Sequence, residues 1–189
     1  MKAPRLLVAW LGLTGWLLTG CQTPPARPAR ASTAAEATRN NCCSLLHQLL
    51  DEQKDVSLLR FIKREHPDVK EQVKRIATVS GTGAKLLEEM ARLDPSLRLD
   101  DFRLPSGEMA TREAIAATKK KELLGHSGDE FELALLLTQT EALSYGWHLA
   151  KVASENDPQP DRVKALAGIS QDMEKLYHEV FVLLRAKTR

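Results

Sequence analysis

A chain of 189 residues is a natural length for one domain, and its 27 basic and 25 acidic side chains give a formal net charge of +2. That excess resides in Lys2 and Arg5, because residues 1–20 hold no acid, so the remainder is balanced. Balance excludes the broad basic face of a nucleic-acid-binding protein. Lys119-Lys120-Lys121 is short and followed by Glu122, the pattern of a solvated helix face.

Lys2 and Arg5 precede an apolar run, Leu6 to Leu18, whose thirteen residues suit the core of a signal peptide better than a membrane-spanning helix of about 20. Directly after it stands Leu18-Thr19-Gly20-Cys21, which resembles the lipobox of bacterial lipoproteins. The resemblance implies removal of residues 1–20 and lipidation at Cys21. Each buried methylene contributes about 0.8 kcal/mol, and stable anchoring takes more than one acyl chain; two or three chains on Cys21 meet that need. Gln22 is not the aspartate that commonly retains such proteins in the inner membrane, so the resemblance favours an outer-membrane anchor with the domain facing the periplasm.

Residues 21–41 are rich in Pro, Ala, Thr and Arg, with Pro24, Pro25 and Pro28, and read as a disordered spacer without apolar periodicity. The folded domain is expected over residues 42–189. Cys42 and Cys43 are adjacent, and side chains one residue apart on a helix point about 100° apart, so an easy mutual disulfide is not expected. Buried free thiols are the favoured state, with an intermolecular bridge or a strained vicinal pair as alternatives.

Five helices are expected. The first covers about Ser44 to Arg64, with a bend or break near Lys54. The second opens at Pro67, a residue suited to a first helical turn, and runs to Leu93 with Val69, Val73, Ile76, Ser80, Gly83, Leu87 and Met90 on one face. Gly81 and Gly83 imply either close helix contact or a kink. After a loop from Asp94 to Pro105, a third helix covers Ser106 to Leu124. The fourth, Asp129 to Ser154, carries Phe131, Leu135, Thr138, Ala142, Tyr145, Leu149 and Val152 on one side. Leu133, Leu136, Leu143 and Trp147 stand opposite; a helix so apolar all round is central or shared with a partner. The fifth, Asp161 to Lys187, repeats Leu166, Ile169, Met173, Leu176, Val180 and Leu183. With no alternating strand pattern, the fold class is all-α: an antiparallel bundle of four main helices plus one.

From Val56 to Leu184 this layout resembles a ferritin-like, outer-membrane bacterial domain family of unknown function. The patches that carry the resemblance are His66-Pro67-Asp68-Val69-Lys70, Leu104-Pro105 and Leu123-Leu124-Gly125-His126-Ser127-Gly128-Asp129-Glu130-Phe131. Members commonly hold an acid–histidine pair late in the second helix, where this chain has Ser80-Gly81-Thr82-Gly83, a departure that weakens any shared metal role.

A carboxylate metal site inside a bundle uses Glu-x-x-His pairs facing inward, and none is present. Glu141 and His148, two turns apart beside Tyr145, are the candidate ligands; they share a groove or edge the core. Glu174 and His178 fall on the outer side of the fifth helix, and His126 and Glu130 read as turn and first-turn residues. Neither hydrolase signatures nor a phosphate-binding loop occurs. The expectation is a non-catalytic envelope protein without a cofactor, whose partners are membrane lipid through Cys21 and an unidentified envelope protein or the cell wall. A metal-binding bundle is the alternative.

Overall fold

The computed structural model describes residues 33–56 and 66–188, and these form an all-helical bundle. Helix α1 spans Ala34–Lys54, α2 Pro67–Leu93, α3 Ser106–Gly125, α4 Gly128–Glu155 and α5 Pro160–Lys187. The expected fold class holds, and α2 to α5 lie within a residue or so of their expected bounds. The tail of the first predicted helix, residues 57–65, lies outside the described residues, as do residues 1–32 with Cys21.

Helix α1 starts ten residues earlier than expected, inside the stretch assigned to the spacer. Thr33 caps it: its Oγ1 accepts from the Glu36 N–H at 3.2 Å while its own N–H donates to Glu36 Oε2 at 2.8 Å. This reciprocal pair satisfies two of the orphan donors at a helix start. The polar residues that follow face inward because the 94–105 loop needs them. Arg39 Nη2 and Asn40 Nδ2 both donate to Ser96 O, at 2.7 and 3.1 Å. Asn41 Nδ2 donates to Asp101 O at 3.0 Å, and Ser44 Oγ accepts from the Asp101 N–H at 2.8 Å. Where this loop tucks Leu97 and Asp101 inward it has no ladder of its own for its backbone groups, so side chains supply the partners.

Side-chain bridges set the helix directions. His47 meets Glu88 and Arg39 meets Ser96, so α1 and α2 run antiparallel. Arg75 meets Glu179 and Arg162 meets Asp94, so α2 and α5 do too. The Ser170 hydroxyl reaches Trp147 O and the Ser154 hydroxyl reaches Val163 O, which sets α4 against α5. Helix α4 also packs on α1, closing a square of four helices. Helices α2 and α4 therefore point the same way, and the chain between them must travel back along the bundle. The 94–105 loop and α3 make that return, a long crossover between two parallel helices.

The core stripe of α2 is as expected, with Val69, Val73, Ile76, Ser80, Gly83, Leu87 and Met90 all buried. A Cβ on Gly83 would lie 3.0 Å from Leu50 Cδ1, so Gly83 serves a close approach of α2 to α1 rather than a kink. On α4 Phe131, Leu135 and Leu149 of the expected face are buried, as are Leu136 and Leu143 of the opposite one, together with Glu132, Gln139, Gly146, Ala150 and Ala153, while Thr138, Ala142, Tyr145 and Val152 are half-buried. The reason is crowding: α4 touches α1, α3 and α5, and its tightest contact uses Gly146, where a Cβ would meet Met173 and Leu49.

Cys42 and Cys43 are buried free thiols. Burial pushes the Cys43 thiol up to about 12, with Cys42 and Asp157 adding to the rise. Among the described residues no helix is long and apolar enough to cross a membrane.

Candidate functional site

Charged side chains pin both ends of the bundle. At one end Arg162, in the first turn of α5, lies against Asp157 with Nε to Oδ2 at 2.7 Å and Nη2 to Oδ1 at 2.9 Å, and also bonds Asp94 at the end of α2. Asp157 is wholly buried, so the two-pronged guanidinium contact neutralises a charge that could not otherwise leave water. The Ser96 backbone N–H, the Ser96 side chain and then Arg162 hold the Asp94 carboxyl down at about 2.

At the other end Glu132 of α4, 1% exposed, accepts from the ends of two other helices, α2 and α5. Its Oε2 takes the Lys187 ammonium at 2.6 Å from the end of α5. Both carboxylate oxygens lie 2.9 Å from His66 Nδ1, and the His66 backbone N–H bonds Oε1. His66 is the N-cap residue of α2, so this buried carboxylate stands in for a cap side chain, and two helix N-termini favour its charge. Burial raises the Glu132 carboxyl, but the Lys187 and His66 bonds outweigh burial and hold it below its ordinary value. Lys187 is raised, chiefly by the bond it donates to Glu132.

Asp129 joins this end, its Oδ1 3.9 Å from His66 Nδ1. One atom each of His66, Asp129 and Glu132 lie within 4.8 Å of one another, the spacing of a three-ligand cation site. A carboxylate only accepts, so His66 Nδ1 donates to Glu132 and is not a free lone pair here. The periodicity of α4 concealed Glu132, which reads as one more acid just past a first turn holding Asp129 and Glu130.

Glu141 and His148, the ligand candidates from the sequence, do not face each other. Glu141 pairs with Lys119 of α3, and His148 Nδ1 donates to Ser144 O at 2.7 Å. Both line one open groove of about 600 Å³ on the outer side of the bundle, together with Thr140, Ser144, Tyr145 and Tyr177. Trp147 flanks it, with ring centroids 4.4 Å from His148 and 6.1 Å from Tyr177. His178 is exposed on the outer side of α5, as expected, and Glu174 is half-buried. His126 caps the end of α3 with Nδ1 3.2 Å from Glu130 Oε2, a turn pairing as expected.

Among solved structures the bundle is similar to a crystal structure from Streptomyces coelicolor described as a secreted protein, DUF305, with a TM-score of 0.61 over 82% of this chain and 94% of that one. The likeness is one of fold. Identity is 18%, which shows the helical arrangement and nothing of the site. No protein-family model matches the chain, and no curated protein matches it in sequence.

Proposed function

We propose that the chain is an extracytoplasmic lipoprotein whose helical bundle, tethered through acylated Cys21, serves a non-catalytic binding or structural role in the cell envelope, on the outer membrane facing the periplasm. The observation that carries this reading is the order of Lys2, Arg5, the apolar run Leu6 to Leu18, and Leu18-Thr19-Gly20-Cys21. The bundle supports it, since α1 is capped at Thr33, about a dozen residues beyond Cys21. Its buried charges support a structural role: Glu132, Asp157 and Arg162 are engaged in tying helix ends together. Palmitate labelling and membrane fractionation of the chain and its Cys21→Ser variant test the anchor. Label and membrane retention in the first, lost in the second, are expected. An unlabelled, freely soluble wild type would overturn it.

A metal-binding bundle is favoured by one arrangement, the grouping of His66, Asp129 and Glu132. An ion there must displace the Lys187 ammonium and take the lone pair of a nitrogen now bearing hydrogen. Zinc titration of the full chain and of Lys187→Met and His66→Ala decides it. Stoichiometric binding that Lys187→Met strengthens and His66→Ala abolishes supports a metal site; heat-silent titrations of the full chain and of Lys187→Met dismiss it.

A further inference from the structure

We infer that the groove between Tyr145, His148 and Tyr177 is a binding site for a neutral, hydroxyl-rich glycan of the pyranose class. This rests on the extracytoplasmic reading, because only there does the chain meet the glycan strands of a cell wall. The groove is open rather than enclosed, which suits one stretch of a polymer, and its floor is aromatic. Tyr177 is braced by two rings: Phe181 stacks against it at 6.2 Å with planes 13° apart, and Trp147 stands tilted 6.1 Å away. Tyr145 is fixed by Arg112, whose guanidinium carbon lies 4.6 Å over the ring while a nitrogen bonds the hydroxyl. Rings already immobilised lose little entropy when a ligand stacks on them.

The rim supplies both hydrogen-bonding senses. Ser144, Thr140 and Tyr177 contribute hydroxyls, and Glu141 contributes a carboxylate. His148, by donating Nδ1–H to Ser144 O, keeps Nε2 as an acceptor in its neutral form. Glu141 is balanced by Lys119, so the groove offers no unmatched charge to a charged ligand. A pyranose presents an apolar C–H face to an aromatic ring and alternating hydroxyl donors and acceptors at its edge, and matches this set. A few convergent polar groups around an aromatic floor is the general form of a ligand site.

Calorimetric titration of the full mature chain in detergent with an N-acetylglucosamine tetramer tests the assignment, beside Tyr177→Ala and His148→Ala. Saturable binding is expected, weakened about tenfold by Tyr177→Ala, the loss of one aromatic contact. The exposed ring of His148 can be removed without touching the core, so His148→Ala should fold as the wild type does and bind several-fold more weakly. Circular dichroism of each variant confirms folding. No heat up to millimolar glycan, wild-type affinity in folded His148→Ala, or binding of a wall stem peptide in place of the glycan would overturn the inference. Glycan binding by an unlipidated chain would leave this site standing while the anchor falls; a lipidated chain that ignores glycan would do the reverse.

Discussion

Replacing Lys187 with Met removes the ammonium from Glu132 while keeping the aliphatic stem. Glu132 is 1% exposed and cannot recover water, so the variant leaves a buried carboxylate held only by His66. Breaking a buried pair from one side costs about 3–5 kcal/mol. Lys187 retains 19% side-chain exposure and the His66 bonds persist, which places the loss nearer about 2–3 kcal/mol. For a domain of this size that is a fall in Tm of roughly 4–12 °C at pH 7. The sign with pH follows from the lowered Glu132 carboxyl. Its contribution is complete above the ordinary value of 4.5 and is lost as pH falls through the lower folded value. Calorimetric melts of wild type and variant from pH 7 to pH 3 should therefore converge in acid, and Glu132→Gln added to Lys187→Met should recover part of the loss. A fall below about 1 °C at pH 7, or an equal fall at pH 3, would refute the reasoning.

Gly146→Ala should destabilise, since its Cβ would fall 2.2 Å from Met173 Cε and 2.8 Å from Leu49 Cδ2. Overpacking of about 1–3 kcal/mol exceeds the roughly 1 kcal/mol alanine gains in a helix. Gly168→Ala meets nothing within 4 Å and should stabilise by about 1 kcal/mol; urea melts giving both the same sign contradict the packing. The buried Cys42 and Cys43 thiols should resist a thiol reagent at pH 8 until the chain unfolds, whereas rapid native modification of Cys43 would contradict its burial. Helix α3 buries no side chain and leans on α4 through Arg112–Tyr145 and Lys119–Glu141. Its amides should exchange with deuterium well before those of α4 and α5, and equal protection would be the opposing result.

The bundle was legible because α2 and α5 carry unbroken apolar stripes, and every member of the α2 stripe is buried. The start of α1 was not, since Arg39, Asn40 and Asn41 look like spacer until the crossover loop they hold is seen. On α4 an apolar surface nearly all round gave no unique face, and the true core passes through Glu132, Gln139 and Gly146, none of which scores as apolar. The groove was half visible. Glu141 and His148 share it, but Tyr177 and the rings behind it come from α5, a juxtaposition that one helix's spacing cannot carry. The Glu132 cluster joins three helix ends distant in sequence and left no local signal.

The mass of the mature amino-terminal peptide tests the central claim most directly. A peptide beginning at Cys21 and heavier by two or three acyl chains is the predicted result. An unmodified amino terminus, whether at Cys21 or elsewhere, would contradict the account.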